Sequence, residues 1–376
     1  MEIKDHNNLK RILIDKCFID PGLPNYQYSP IVNSIQEKST TKMEIIDKAE
    51  DIIDEYRHKA NHIYQGKEIL LVYPFKGRFI HICPGSGGMK CCHYFIINIG
   101  LNCLFDCHYC FLQTYLQNPL TTCFANWQDL KVELDRRLKN NNIHFRIGSG
   151  EYTDSMVLDS ITGISNLLIK DFAKRKNCTL ELKTKSANVD HILNIDHNGR
   201  TVMAWSLNPD SLIKEIEFYT PSLNERLKAA KKAQEAGYKL AFHFDPIVYY
   251  DNWQQEYKAL IEKLLAIIEP DNIAWISLGT FRYSQGLKEI IQKRFPEDNL
   301  TRAEMVRCRD TKMRYVRKIR QDMYTKMKTW LEDNDSNIFT YICMDTKEVW
   351  QSVYGFDPGS RKKLDSLFEK RRKFMS

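Results

Sequence analysis

The sequence predicts an α/β fold, a partial (β/α)6 barrel of the TIM type. From about residue 93 to residue 279, short β-rich runs alternate with longer helical patterns, which indicates parallel βαβ units. Polar residues of the kinds found in active sites follow several of the predicted strands, at 101–119, 150–155, 183–186 and 206–209. Because the carboxyl ends of the strands carry the chemistry in a parallel barrel, the two patterns support the same architecture.

The chain divides into three predicted regions. A helical N-terminal extension covers 1–75, the barrel covers 76–285, and a basic C-terminal α/β segment covers 286–376. In the extension, apolar residues recur at helical spacing over 43–66 and end at a glycine, which predicts a helix.

The strands are predicted where β-rich residues form short runs between turn residues. These runs lie at 68–75, 93–100, 143–150, 179–185, 201–208, 238–247 and 272–279. Helical patterns separate the later runs, at about 126–140, 160–175 and 222–237, and the last of these ends in a glycine. A basic helix at about 312–333 and a strand at 338–343 are predicted near the end of the chain.

The bulk composition indicates a globular protein without a membrane span. Of 376 residues, 43% are hydrophobic and 27% are charged, and no apolar run approaches 18 residues. The first ten residues, MEIKDHNNLK, lack the apolar region of a secretory signal, so we expect a cytoplasmic location. The eleven cysteines are an odd number, which disfavours a disulfide framework.

The charge distribution suggests a polyanionic partner. The net charge is +7, and the segment 306–320 carries seven Arg or Lys residues against one Asp, with an aromatic among them. The alternative is the solvated face of an amphipathic helix. On the first interpretation, the candidate nucleic-acid contacts are Arg282, Lys312, Arg314, Tyr315 and Arg317.

A cysteine motif is the most specific feature of the sequence. LNCLFDCHYCFLQTYLQNP (101–119) spaces Cys103, Cys107 and Cys110 as C-x3-C-x2-C. Three thiolates on one loop can bind three irons of a [4Fe–4S] cluster and leave the fourth iron open. A zinc site would need a fourth ligand, His108 or Cys123, and a redox C-x-x-C would leave the first cysteine unused.

A second group of cysteines lies just before the motif, in CPGSGGMKCC (83–92). With Cys123, the three cysteines of this stretch would supply four thiols for another metal. Buried structural thiols are the alternative. The sequence leaves both open.

The motif resembles that of the radical S-adenosylmethionine superfamily, whose barrel is of the same partial (β/α)6 kind. More narrowly, DCHYCFLQTYLQNP resembles the CHYCYLQT stretch of spore photoproduct lyases. The resemblance continues through 183–208, 229–257, 276–283 and 312–315. It implies a DNA-repair lyase that generates a 5′-deoxyadenosyl radical to act on a thymine-dimer-like or nucleotide-derived substrate. An external donor of the flavodoxin or ferredoxin type would supply the electron.

The resemblance also implies roles for individual residues. The three motif cysteines would bind the cluster, and S-adenosylmethionine would bind the open iron. Lys185, Ser206 and Asn208 stand where the family contacts this cofactor, and Tyr109 would pack near its adenosine. Glu151 would accept a hydrogen bond from the methionine amino group.

Glu151 has a second interpretation, which it shares with Asp154. Both acidic residues precede a predicted helix, so both would simply cap it. The sequence does not decide between the two roles.

Two positions depart from the family pattern. Tyr152 stands where the lyases carry a cysteine that donates a hydrogen atom, and Phe111 replaces a family tyrosine. A phenol also can donate a hydrogen atom, so Tyr152 is the candidate donor; the alternative is re-abstraction from 5′-deoxyadenosine. A radical enzyme for a small molecule or peptide, and a non-catalytic metal-binding nucleic-acid module, are the competing functions.

Overall fold

The computed structural model describes residues 8–19, 29–59, 61–92, 94–139, 143–359 and 361–375. The strands in chain order are β1 (Arg11–Asp15), β2 (Met43–Ile46), β3 (Ile69–Tyr73), β4 (Ile80–Ile82), β5 (Phe95–Ile97), β6 (Asp106–Cys107), β7 (Thr121–Phe124), β8 (Phe145–Gly148), β9 (Cys178–Thr184), β10 (Thr201–Ser206), β11 (Glu217–Phe218), β12 (Lys239–Ile247), β13 (Ile273–Thr280), β14 (Arg282–Tyr283), β15 (Met305–Arg307), β16 (Met313–Tyr315) and β17 (Thr340–Ile342). The helices in chain order are α1 (Pro30–Lys38), α2 (Ala49–Arg57), α3 (His62–Gly66), α4 (Leu112–Tyr115), α5 (Trp127–Arg137), α6 (Asp159–Thr162), α7 (Ile164–Ala173), α8 (Asp210–Ile216), α9 (Leu223–Glu235), α10 (Trp253–Ile267), α11 (Leu287–Arg294), α12 (Arg317–Asn334), α13 (Lys347–Tyr354) and α14 (Arg361–Met375).

The described residues form two compact units. The first unit draws on Met1–Ile82, Tyr94–Asp106 and Tyr115–Thr201. The second unit draws on Cys83–His93, Cys107–Thr114 and Val202–Ser376.

The first unit contains a parallel four-stranded sheet of order β2-β1-β3-β7. The predicted helix over 43–66 is therefore wrong at its start, because Met43–Ile46 pairs with β1 and only the part from Ala49 is helical. The predicted N-terminal extension is likewise not helical throughout. Strand pairing overrides the helical spacing here because it buries Leu13, Leu71 and their neighbours in a core.

The first unit also carries the opening strands of the predicted barrel. β4 is antiparallel to β5, while β5, β8 and β9 run parallel to one another. β5 leads to Gly100, where a Cβ atom would lie 2.2 Å from the carbonyl oxygen of Thr122. Only glycine permits this close approach, which begins the cysteine loop.

The second unit holds the closing strands. β10, β12, β13 and β17 are parallel neighbours, with Ser206 beside His243 and His243 beside Ser277. Its helix α9 begins with a capping box, in which Ser222 and Glu225 bind each other's backbone amides. β14, β16 and β15 form a small antiparallel sheet.

Within the two units, the barrel strands are neighbours in the orders β4-β5-β8-β9 and β10-β12-β13-β17. This arrangement confirms the predicted α/β half-barrel. The basic helix predicted from about 312 begins only at Arg317, because 313–315 pairs with both β14 and β15. Among the described residues, no helix is both long and apolar enough to cross a membrane.

Candidate functional site

Lys67 organises the first part of the cysteine loop, in the first unit. Its Nζ donates hydrogen bonds to the carbonyl oxygens of Cys103 (2.8 Å) and Phe105 (2.6 Å) and lies 3.6 Å from the carboxylate of Asp106. These bonds fix the backbone around Cys103 while its side chain is half-buried. Sequence reasoning did not identify Lys67, because a lysine after a short helix is ordinarily a surface residue.

Gln113 organises the second part of the loop, in the second unit. Its Nε2 lies within hydrogen-bond distance of the carbonyl oxygens of Cys107 (3.3 Å), His108 (2.9 Å) and Cys110 (3.3 Å). Its Oε1 accepts a hydrogen bond from Arg294. The amide of the FLQT stretch therefore holds the turn between two motif cysteines, which gives that stretch a physical role.

His108 is committed to a buried pair in the second unit. Its Nδ1 pairs with the carboxylate of Asp298, and its ring stacks on Phe295 with centroids 3.6 Å apart. The Nε2 of His108 has no hydrogen-bond partner among the described residues. The ring is thus held by protein groups on one nitrogen and one face.

Tyr109, predicted to pack near adenosine, belongs to a buried ionic network. Its phenol donates a hydrogen bond to Glu217, whose other carboxylate oxygen accepts from Arg226 at 2.6 Å. The side chains of Glu217 and Arg226 are both 0% exposed. Burial and the negative charge of Glu217 raise the pKa of Tyr109 well above its ordinary value, so the phenol stays protonated.

The same network includes two predicted polar residues at the end of β10, Ser206 in its last position and Asn208 just beyond it. Asn208 donates a hydrogen bond to Glu217 (2.8 Å) and accepts one from the hydroxyl of Tyr257 (2.7 Å). The backbone oxygen of Ser206 accepts from Arg226 at 3.0 Å. Asn208 and Ser206 are therefore positioned rigidly, and their contact with a cofactor stays a prediction.

In the first unit, the two acidic residues after β8 have different roles. Asp154 accepts hydrogen bonds from the backbone amides of Met156 (2.9 Å) and Lys185 (2.8 Å), so it joins the turn before α6 to the end of β9. Glu151 accepts from the hydroxyl of Tyr94 (2.8 Å). Asp154 therefore stabilises the turn before α6 rather than capping the helix, whose N-cap residue Leu158 makes no side-chain capping bond. Glu151 stays a predicted cofactor contact.

Tyr152, the candidate hydrogen donor, lies in an aromatic stack. Its ring centroid is 5.7 Å from that of His81 on one side and 5.7 Å from that of Tyr115 on the other. Burial lowers the pKa of His81, which keeps its imidazole neutral near pH 7. The stack holds the phenol of Tyr152 in a restricted orientation.

Two of the predicted nucleic-acid contacts are wrong because they are buried. Arg314 and Tyr315 are each 1% exposed. Arg314 forms an ion pair with Asp310, with one N···O distance of 2.7 Å, and Tyr315 accepts a hydrogen bond from the backbone amide of Tyr249 at 3.1 Å. Neither side chain is available to hold a phosphate or to stack on a base.

The remaining basic candidates differ in exposure. Arg282 donates hydrogen bonds to both carboxylate oxygens of Asp245 at 3.0 and 3.2 Å, and Gly279 leaves room for that carboxylate. Burial, followed by repulsion from Arg282, lowers the pKa of the half-buried Lys312. Arg317 is exposed. The other exposed cations of 306–320 are Arg307, Arg309 and Lys318.

The described residues contain no group of three or more His, Cys, Asp or Glu side chains arranged to hold a single metal ion. In a [4Fe–4S] cluster each thiolate binds a different iron, so the single-ion arrangement is not the one that such a cluster requires. None of the three motif cysteines is in a disulfide, and the loop carbonyls are bound by other groups. The donor set therefore fits a cluster of this type.

Comparison with known proteins identifies a family for this chain. A family model described as spore photoproduct lyase matches residues 88–344. Over 210 residues the chain is 31% identical to spore photoproduct lyase of Bacillus subtilis (strain 168), covering 55% of this chain and 61% of that protein. Over 246 residues it is 24% identical to spore photoproduct lyase of Clostridium acetobutylicum, covering 65% and 71%. The chain thus spans about three fifths of the length of the Bacillus relative.

Solved structures give the same fold. A spore photoproduct lyase variant with dinucleoside spore photoproduct matches at a TM-score of 0.76 and 21% identity, covering 89% of this chain and 98% of that one. Another variant, with bound AdoMet and dinucleoside spore photoproduct, matches at a TM-score of 0.74 and 21% identity over the same shares. The agreement confirms the half-barrel architecture.

Proposed function

This chain belongs to the spore photoproduct lyase family, and from that premise we propose that it is a radical S-adenosylmethionine enzyme of lyase type. Its substrate would be a thymine-dimer-like lesion in DNA. The observation that carries the proposal is the cysteine loop. Lys67 and Gln113 bind its backbone carbonyls and so fix the loop that carries the C-x3-C-x2-C motif.

Cys103, Cys107 and Cys110 would hold the [4Fe–4S] cluster, and S-adenosylmethionine would occupy its open iron. When bound, these groups would supply radical chemistry through one-electron cleavage of a carbon–sulfur bond. The protein's part is to fix the loop and to exclude water from the radical. The low exposure of the loop cysteines, of which Cys107 is buried and the other two are half-buried, suits both tasks, as does the buried polar network around Tyr109.

Polar side chains at the strand ends would orient the cofactor. Glu151 offers a carboxylate to the methionine amino group, and Lys185 offers an ammonium group to its carboxylate. The hydroxyl of Tyr94 donates a hydrogen bond to the Glu151 carboxylate, and Asp154 accepts one from the backbone amide of Lys185. Ser206 and Asn208 would face the ribose.

A DNA substrate is supported by two observations. Two of the related structures contain dinucleoside spore photoproduct, and the exposed cations of 306–320 could bind phosphates. Those cations are Arg307, Arg309, Arg317 and Lys318. An electron donor of the flavodoxin or ferredoxin type and a cytoplasmic location complete the proposal.

The proposal is tested by anaerobic reconstitution with iron and sulfide. After reduction, we expect 5′-deoxyadenosine from S-adenosylmethionine in the presence of DNA that carries spore photoproduct. Absence of 5′-deoxyadenosine would overturn the enzyme proposal. We also expect binding to DNA to weaken steeply as salt rises, because counterions are released when cations meet phosphates. Turnover without salt-dependent DNA binding would favour the small-molecule or peptide function instead.

Replacing Tyr152 with Phe is expected to slow product formation at least about tenfold, equivalent to about 1.4 kcal/mol. The replacement keeps the ring between His81 and Tyr115 but removes the hydroxyl hydrogen. Because that hydrogen exchanges with solvent, wild-type product made in D2O should carry deuterium.

The matched control is Tyr115→Phe, which removes a neighbouring hydroxyl and preserves the stack. We expect it to retain both the rate and the deuterium content of the product. If Tyr152→Phe leaves solvent deuterium in the product unchanged, Tyr152 is not the donor. Wild-type product without deuterium would indicate re-abstraction from 5′-deoxyadenosine.

A further inference from the structure

Four cysteines meet within the second unit. Cys83, Cys91 and Cys92 come from the turn-rich stretch before the motif, and Cys343 follows β17. The thiol of Cys91 lies close enough to the thiols of the other three for each of them to affect its pKa. Cys123, which the sequence suggested as the fourth member, instead lies on β7 of the first unit.

The backbone brings the two segments together independently of the thiols. Lys90 and Asp345 form an antiparallel bridge, with the Lys90 amide 2.7 Å from the Asp345 carbonyl oxygen. The hydroxyl of Ser86 lies 3.6 Å from the sulfur of Met344. Cys91 and Cys343 therefore sit one residue from Lys90 and two from Asp345, on paired segments that are distant in the sequence.

The surroundings of these thiols favour the formation of a disulfide bond between two of them. Cys83, Cys91 and Cys92 are buried, and a Cβ atom on Gly85 would lie 3.3 Å from the sulfur of Cys91. The described part of the chain offers no set of three or more ligands arranged around a single metal ion. Two adjacent thiols can instead lose two electrons and two protons and form a disulfide.

We propose that Cys91 and Cys343 are a reversible dithiol–disulfide couple that covalently joins the 83–92 stretch to the end of β17. The oxidant is a low-molecular-weight disulfide such as glutathione disulfide. The thiolate of one cysteine attacks the oxidant and releases one thiol; the second cysteine then attacks the mixed disulfide and releases the other. One protein S–S bond forms, and one oxidant S–S bond is reduced to two thiols.

The reaction should depend on pH, because the thiolate is the nucleophile. The hydrogen bond from Cys343 favours the Cys91 thiolate, but hydrogen bonds with Cys83 and Cys92 and burial outweigh it and raise the Cys91 pKa. The hydrogen bond with Cys91, burial and the charge of Asp245 raise the pKa of Cys343, while Arg282 lies close enough to interact with it. Both cysteines are therefore protonated at neutral pH, and the rate should rise about tenfold for each pH unit.

The test uses the full chain without reconstitution, so its outcome does not depend on the proposed radical chemistry. The protein is incubated with glutathione disulfide at pH 7, 8 and 9, remaining thiols are alkylated, and the digest is analysed by mass spectrometry. We expect a cross-linked pair of peptides containing Cys91 and Cys343, formed faster at higher pH and removed by a reducing agent.

Two variants check the assignment. Cys343→Ser should abolish the cross-link, whereas Cys178→Ser, at a buried cysteine of the first unit, should leave it unchanged. Circular dichroism of each variant establishes that it is folded. If the folded wild-type chain yields only glutathione adducts, or a cross-link between other cysteines, the proposal is overturned, whatever the behaviour of the variants.

Discussion

Replacing Arg226 with Met is expected to lower the free energy of unfolding by about 3–5 kcal/mol. The guanidinium and the Glu217 carboxylate are both completely buried, so the variant leaves an uncompensated charge out of contact with water. Arg226 also donates hydrogen bonds to the backbone oxygens of Ser206 and Pro221, which would lose a partner. Urea denaturation followed by circular dichroism measures the change.

A surface ion pair provides the control. Lys258 and Glu262 lie one helical turn apart on α10, each 56% exposed, with an N···O distance of 3.9 Å. Lys258→Met should change the free energy of unfolding by less than about 1 kcal/mol, since water and salt screen exposed pairs. A loss of similar size in both variants would contradict a special role for the buried pair.

The Glu217→Gln variant removes the ion pair with Arg226 but keeps the hydrogen bonds that residue 217 accepts. The amide keeps an oxygen that can accept from Tyr109 and Asn208, but it removes the charge that matches Arg226. The double variant Glu217→Gln with Arg226→Met should therefore be more stable than the sum of the single variants implies, because no buried charge is left alone.

The sequence predicted the half-barrel because its two signals are local. Strand-length runs such as 201–208 and helical patterns such as 222–237 depend on residue periodicity, and the structure places β10 and α9 there. The C-x3-C-x2-C spacing is equally local. Where distant strands compete with local spacing, as at 43–46, periodicity alone gave a helix and the structure has a strand.

The buried polar partners could not be predicted in the same way. Arg226 lies in a lysine-rich helical pattern, and nothing in that pattern distinguishes it from its exposed neighbours. Its burial depends on Glu217, a residue outside the same helix. The prediction that Arg314 contacts nucleic acid was wrong for a related reason. Counting the charges of a segment assumes that each charged side chain is exposed, whereas Arg314 is paired with Asp310 inside the protein.

Replacing Cys107 with Ala is expected to reduce cluster retention and 5′-deoxyadenosine formation more than about 100-fold. Loss of an outer hydrogen-bond partner of a metal ligand typically costs about 10- to 100-fold, and a direct ligand should cost more. Gln113→Ala supplies that comparison, because Gln113 contacts the loop carbonyls but offers no thiolate. Iron and sulfide content after anaerobic reconstitution, together with 5′-deoxyadenosine yield, measures both variants.

Cys308→Ala is the matched control for the loss of a thiol, since Cys308 is half-buried and lies outside the motif. It should retain full iron content and turnover. If Cys107→Ala kept its iron, the metal would be bound elsewhere. Adding Cys91→Ser to that variant would test whether the four-cysteine group around Cys91 holds the iron. If Cys107→Ala lost iron while Cys308→Ala and Cys91→Ser retained it, the cluster would be assigned to the motif. The loss of iron and of 5′-deoxyadenosine should therefore be largest in Cys107→Ala, smaller in Gln113→Ala and absent in Cys308→Ala. This order distinguishes a cluster ligand from a residue that positions the loop and from a cysteine with neither role.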